Sequence, residues 1–219
     1  MAPECQPGTP PLLQVTLTEA SGRFTVRTFT VAVSGGTPCP GWRRTGHLAT
    51  PRTEHVATVL PSGKVLVVGG AVFPRDKAEL YDPDTGTRSA TGSLNVARRE
   101  LVATALPDGR VLVTNTFGTQ AEVYSTETGT WTPTGSLPAP LGLHVGSVLP
   151  SGRVLVLGGA GRGTEVYDPD TGTWALGADM VWPRTGPTVS VLPSGEILVT
   201  GGTGEGVPVL ASTELYRSP

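Results

Sequence analysis

The chain has 219 residues, of which 37% are hydrophobic and 16% charged, with a formal net charge of −2. That is enough apolar material for a packed core and too little charge for wholesale disorder. No stretch concentrates Lys and Arg, which argues against nucleic acid and anionic membrane surfaces as partners, and no apolar run approaches the roughly 18 residues of a membrane span.

In chain order, residues 12–20 and 24–33 alternate apolar and polar side chains around Ser21-Gly22-Arg23. This pattern predicts a β-hairpin within an N-terminal extension, residues 1–40. The N-terminus shows no basic region followed by an apolar one, so no secretory signal is expected there. Cys5 and Cys39 bracket the hairpin. Either a bridge ties its ends together or both are unpaired thiols. An isolated hairpin is marginal in water, so this one is expected to pack on the rest of the chain, pair with another chain or be partly ordered.

From residue 52 onward the chain repeats. Leu-Pro-Ser/Asp-Gly recurs at 60–63, 106–109, 149–152 and 192–195, at steps of 46, 43 and 43 residues, the length of one propeller blade. Each tetrapeptide joins two β-branched or alternating runs, which reads as a hairpin with a Gly-bearing turn. A diglycine follows at 69–70, 158–159 and 201–202, with Asn115-Thr116 in the second copy. Then comes a variable loop and a third strand carrying Glu-x-Tyr in every copy: Glu79/Tyr81, Glu122/Tyr124, Glu165/Tyr167 and Glu214/Tyr216. Asp-Pro-Asp-Thr-Gly-Thr, or Ser125 to Thr130 in the second copy, forms a tight connection into a fourth strand that opens with Arg88, Trp131 or Trp174. No stretch has the period of an amphipathic helix, so the expected fold is all-β.

The ordered diglycine, Glu-x-Tyr and Thr-Gly-x-Trp motifs resemble the Kelch repeat, in its galactose oxidase-like bacterial form, over residues 42–219. The Gly-His and Trp-Asp signature of the WD repeat is absent. The resemblance implies a small β-propeller in residues 41–219, with blades at 52–93, 97–138, 141–180 and 184–219. The last copy stops after its third strand, while 42–48 align without gaps to 131–137. The N-terminal segment 42–48 is therefore expected to complete the fourth blade and close a ring of four; the rival reading is a fragment of a larger ring. The first strands carry small residues at Ala57-Thr58, Ala103-Thr104, Gly146-Ser147 and Val189-Ser190, as a narrow axis favours. The preceding hairpin resembles the last two strands of a bacterial immunoglobulin-like domain, which implies an extracellular or cell-surface parent protein.

Several residues bear on chemistry. His55, Glu100 and His144 are placed at the start of the innermost strands of three blades, where two imidazoles and a carboxylate suit a divalent metal; the competing reading is structural hydrogen bonding. The four Glu of Glu-x-Tyr recur in every copy. A catalytic group is needed once, so these are read as blade-internal partners of arginines such as Arg52 and Arg184, and Trp42, Trp131 and Trp174 as packing between blades. His47 reads as a surface residue, and Trp182 as either a stacking platform or a rim cap. The loops 71–77 and 203–212 are the longest of their kind, and in a closed ring they are neighbours; with Phe73, Arg75, Trp182 and Glu205 they form a candidate ligand patch. The ring has no cysteine and only two ring-positioned histidines, which excludes the copper site of galactose oxidase-like proteins. No nucleophile–base arrangement stands out, and the glycine-rich segments enter strands, not helices, which argues against phosphate binding. The expectation is a monomeric, non-catalytic binding or scaffold module for a protein or carbohydrate ligand, without a cofactor. The alternative is a metal protein or enzyme at the axis.

Overall fold

The Leu-Pro-Ser/Asp-Gly turns are the local signal on which the fold is built. In each, the Gly N–H donates to the Leu carbonyl at 2.8–2.9 Å, and the Leu N–H reaches the carbonyl of the residue after the Gly, at 2.8 Å. The turn needs a positive φ at its last residue, and Gly63, Gly109, Gly152 and Gly195 supply it at 81–88°. The computed structural model describes residues 44–98, 100–204, 206 and 209–218 in full, and the backbone of residues 12–17 and 27–32.

The fold is all-β. Strands β1 (Leu12–Leu17) and β2 (Arg27–Ala32) form an antiparallel hairpin with Leu12 opposite Ala32 and Leu17 opposite Arg27. Cys5, Cys39, Trp42 and Glu205 lie outside the described residues, and with them the bridge expected between the two cysteines.

Four meander sheets follow. The first contains β3 (Val56–Val59), β4 (Val65–Val68), β5 (Ala78–Asp82) and β6 (Thr87–Ala90). The second contains β7 (Leu101–Ala105), β8 (Val111–Asn115), β9 (Ala121–Ser125) and β10 (Thr130–Pro133). The third contains β11 (His144–Val148), β12 (Val154–Gly158), β13 (Thr164–Asp168) and β14 (Thr173–Leu176). The fourth has three strands, β15 (Thr188–Val191), β16 (Ile197–Thr200) and β17 (Thr213–Tyr216).

The sheets stand in a row, with β3 beside β7, β7 beside β11 and β11 beside β15. Three apolar clusters fill the three junctions. Leu66, Val68 and Ala78 meet Val111, Val113 and Tyr124; Leu112, Ala121 and Val123 meet Val154, Val156 and Tyr167; Leu155 and Leu157 meet Ile197 and Val199. Fully burying one such side chain contributes about 1.5–3 kcal/mol, so the junctions dominate stability. The small first strands have a steric reason: a Cβ on Gly146 would collide with the Thr104 hydroxyl of the neighbouring first strand.

Of the expected closing segment 42–48, Trp42 and Arg43 lie outside the described residues, and the rest is seen as linker. Residues 44–48 belong to no strand, and the fourth sheet carries no fourth strand among the described residues. Thr45 instead bonds the Tyr81 hydroxyl, and the Ala49 N–H donates to Glu79 at 2.6 Å, so this segment docks on the first sheet. The same happens one sheet later, where Thr91 bonds Tyr124 at 2.6 Å and Gly92 N–H donates to the Gly129 carbonyl at 2.9 Å. It happens again where Thr134 bonds Tyr167 at 2.8 Å and Gly135 N–H donates to Gly172 at 3.0 Å. Thr45-Gly46 thus matches Thr91-Gly92 and Thr134-Gly135, the linker after a fourth strand rather than the strand itself. The alignment of 42–48 with 131–137 is consistent with this, since β10 already ends at Pro133.

Each linker is held by the Glu of Glu-x-Tyr. Arg98 and Glu122 pair at 2.8 Å with both side chains 1% exposed, Arg52 and Glu79 at 3.0 Å, and Arg184 and Glu214 at 2.9 Å. Burial pushes the Glu79 carboxyl up, yet the Ala49 N–H and the Arg52 guanidinium outweigh it and hold it below the usual carboxylate range. The third sheet departs from this pattern: Leu141 occupies the register of Arg52, Arg98 and Arg184. Glu165 is left buried with one bond, from the Ala139 N–H at 3.2 Å, and its Oε2 has no partner. Burial pushes its pKa up.

Two isosteric changes separate these sites. Glu122→Gln strands the buried Arg98 guanidinium and is expected to cost about 3–5 kcal/mol. Glu165→Gln removes a carboxylate that has no cation, and stability at pH 7 is expected to hold or rise. The folded chain binds the Glu165 proton more tightly than the unfolded chain, so this group's stabilisation is present below its ordinary pKa of 4.5 and is lost as pH rises through the raised value. Urea titrations at pH 4 and pH 7 should show that loss in the wild type and a smaller one in Glu165→Gln.

Candidate functional site

His144 is 4% exposed. Its Nε2 lies 2.8 Å from the Thr114 hydroxyl on the preceding sheet, and its Nδ1 lies 2.8 Å from the Gly142 carbonyl. The simplest tautomer donates from Nδ1 to that carbonyl and accepts from Thr114 at Nε2, leaving no lone pair for a metal. Burial pushes its pKa down, against the opposing pull of the Gly142 carbonyl. The ring is therefore a neutral junction peg.

Pairing also corrects the register of the three candidate ligands. His144 sits opposite Gly158, and Leu101 sits opposite Asn115, the residue at the place of the first diglycine residue in the second copy. Leu101, not Glu100, is the counterpart of His55 and His144. Glu100 lies one residue earlier, at φ 53°, like Glu54 at φ 55°. Among the described residues no three His, Cys, Asp or Glu side chains stand close enough to hold a metal ion. His55, Glu100 and His144 are not brought together. His55 keeps a buried Nδ1 without a partner, and His47 is exposed.

The chemistry of the molecule is instead sorted between the two ends of its sheets. In every sheet the Pro-Ser/Asp-Gly turn lies at one end, joined in the first three sheets by the third-to-fourth-strand turn, and these turns are polar. The second-to-third-strand loop lies at the other end, with the start of the first strand. The linkers return to this loop end: Leu94 N–H donates to the Asp76 carbonyl, Leu137 to Thr119 and Met180 to Arg162, each at 2.8 Å.

Twelve large hydrophobic side chains are exposed among the described residues, and eight of them belong to these loops and linkers. They are Val72, Phe73, Val96, Phe117, Leu143, Val181, Trp182 and Val209. Phe73 is 72% exposed, Phe117 63% and Trp182 55%. The Arg75 guanidinium stacks on Phe73, 4.5 Å from the ring centroid, while its Nε donates to the Ala71 carbonyl at 3.0 Å. This clasp fixes both an aromatic face and a cation at the surface. Trp182 is anchored through its backbone, whose N–H reaches Glu214 at 3.2 Å, and its ring is left in solvent.

Phe73, Arg75 and Trp182, three of the four ligand residues expected from sequence, lie at this loop end. Phe117, Val181 and Val209 were not singled out from sequence, although an apolar residue in a variable loop after a strand of the core was the available signal. The tryptophans of the fourth strands serve the junctions: Trp131 and Trp174 donate their indole N–H groups to the carbonyls of Gly92 and Gly135 in the incoming linkers, at 2.9 and 2.7 Å. Neither family models nor curated proteins match this chain in sequence.

A junction peg and a metal ligand respond differently to titration. Because folding lowers the His144 pKa, its stabilisation is present above the ordinary value of 6.5 and is lost as pH falls below it. Thermal melts from pH 7.5 to 5 should show that loss, and His144→Gln should flatten it. Added Zn²⁺ is expected to leave the wild-type Tm unchanged; a concentration-dependent rise would restore the metal reading.

Proposed function

We propose that the four sheets are blades of a Kelch-type β-propeller, and that the chain is a non-catalytic binding or scaffold module. The partner is a protein or carbohydrate held at the loop end, and the setting is extracellular. The observation that carries this reading is the segregation of exposed apolar side chains to one end of the sheets. Scattered surface hydrophobics need no explanation, but eight at one end, led by Phe73, Phe117 and Trp182, match the composition of recognition surfaces. The blade reading is supported by the ordered motifs of each repeat and by the side-by-side first strands.

The chemistry of the loop end also fits the partner class. Exposed aromatic faces and a stacked guanidinium suit sugar rings and peptide side chains alike. Three of the glutamates of Glu-x-Tyr, the most plausible acids of an enzyme, are consumed by linkers and arginines, and the fourth, Glu165, is buried and holds a linker N–H. Two open clefts of about 340 Å³ are lined chiefly by turn residues, such as Pro150, Ser194 and Glu196 in one and Pro169, Asp170 and Thr171 in the other. In the first, the Ser194 hydroxyl donates to Glu196 at 2.9 Å, but Arg217 also binds that carboxylate and holds its pKa down, which makes it a weak base.

The test is a binding screen against immobilised glycans and cell-surface proteins, followed by alanine variants. Phe73→Ala, Phe117→Ala and Trp182→Ala are each expected to cost about 1–3 kcal/mol of affinity for any partner found, roughly tenfold or more. Their Tm should stay within a few degrees of wild type, since all three rings are exposed. Binding that survives all three changes, or that is lost on altering the opposite turns, would sink the reading.

A further inference from the structure

Each sheet has two faces, and in the three junctions they play fixed parts. A forward face, exemplified by Leu66, Leu112 and Leu155, meets a backward face, exemplified by Val111, Val154 and Ile197, and all six side chains are 0% exposed. Four sheets in a row leave two such faces over. The forward face of the fourth sheet carries Leu192 and Leu198, both half-buried, and Leu215, 58% exposed; its counterpart Val123 is 8% exposed. The backward face of the first sheet carries Ala57, exposed, Val65, half-buried, and Val59, 62% exposed.

The turns give the same account. A Cβ on Gly109 would lie 2.9 Å from the ring of Pro61 in the preceding turn. Gly152 and Pro107, and Gly195 and Pro150, stand in the same relation at 3.7 and 2.8 Å. Gly63 at the open end of the first sheet meets nothing within 4 Å. The linker docked on the first sheet, Thr45 to Ala49, occupies the place of linkers that elsewhere arrive from a fourth strand, while the fourth sheet has three strands among the described residues. The chain therefore presents the two halves of one more blade junction, at opposite ends, and does not join them to each other among the described residues.

We propose that a second copy of the chain supplies the missing junctions. The forward face of the fourth sheet, around Leu198 and Leu215, packs on the partner's first sheet around its Val59 and Val65, and the reverse junction closes the pair. The arrangement rests on the blade reading above. It uses no new chemistry, because each junction repeats the three already present. Two copies of four sheets give eight blades, within the four to eight that propellers span, whereas three copies exceed it. A heterologous contact of this kind must close or it grows into fibres, and the even division into two makes closure available. The dimer replaces the monomeric ring that the sequence leads one to expect.

Sedimentation equilibrium of the whole chain is the test, with Leu215→Arg and Val59→Arg as variants and Leu176→Arg on the exposed outer strand as control. The wild type and the control are expected to be dimers, and either interface variant alone should dissociate at least about a hundredfold more readily. Mixing Leu215→Arg with Val59→Arg should restore association, because one of the two junctions in the mixed dimer is then unaltered. A wild type that stays monomeric, or variants that dimerise as well as wild type, would overturn the assembly. Far-UV circular dichroism and the melting transition read the sheets themselves. A folded, cooperative monomer therefore refutes the dimer and leaves the blade reading standing, whereas loss of cooperativity in the wild type counts against both.

Discussion

The structure depends on the grip of each third strand on the linker that reaches it. Glu-x-Tyr presents a carboxylate and a phenol on the same face of a strand, because side chains two apart along a strand point the same way. The carboxylate accepts backbone N–H groups from the linker and, in all but the third sheet, pairs with the arginine that follows, while in the first three sheets the phenol takes the linker threonine. Sheets held side by side chiefly by apolar contact thereby acquire a defined spacing and order. A burial term is non-directional. The buried carboxylate supplies the direction, and it does so at a place where an unpaired partner is costly.

The third sheet shows how far this grip tolerates erosion. Leu141 has taken the arginine's place, and it packs with the apolar cluster of the second junction. The junction has exchanged a buried ion pair for hydrophobic contact, an exchange that is often neutral or favourable when both partners change. Here only one partner changed. Glu165 remains, with its charge opposed by burial and one oxygen unsatisfied, and its raised pKa records that mismatch. Trp174, whose indole N–H holds the Gly135 carbonyl and whose ring lies 5.0 Å from that of Tyr167, still orders the linker on this sheet.

Most of the fold was legible in the sequence because its signals are local. The Leu-Pro-Ser/Asp-Gly turns fix register within a few residues, and alternation and β-branching mark the strands. The pairing of Glu79 with Arg52 and of Glu214 with Arg184 was also legible, since a feature repeated in every copy points to a structural duty. Position along the chain was less reliable at the start of the first strands. Leu101 stands five residues before Leu106, as His55 does before Leu60 and His144 before Leu149, so Glu100 was one residue out of register. Of segment 42–48, the described part, 44–48, is linker, because Trp-x-x-Thr-Gly spans both the start of a strand and the linker after it, and Trp42 and Arg43, which align with the strand, lie outside the described residues. What the linker touches is a property of the next sheet, and sequence similarity within one repeat does not report it.

The loop end was the least legible part, for a related reason. No two of its loops share a sequence, so the repeat that reveals everything else falls silent there. Phe73, Phe117 and Val209 sit in loops of different lengths, and only the meander topology places them at the same end as Trp182. The opposite end is held to a few turn types whose glycines and aspartates are dictated by backbone geometry, which leaves little freedom for recognition. Loops after the second strand carry no such demand, since the diglycine or its substitute completes the strand exit before they begin. The fold thus concentrates sequence freedom at one end, and that is where the exposed aromatic and aliphatic side chains have accumulated. A surface that solubility would keep polar is apolar where backbone geometry least constrains the sequence, and the proposed binding role rests on that contrast.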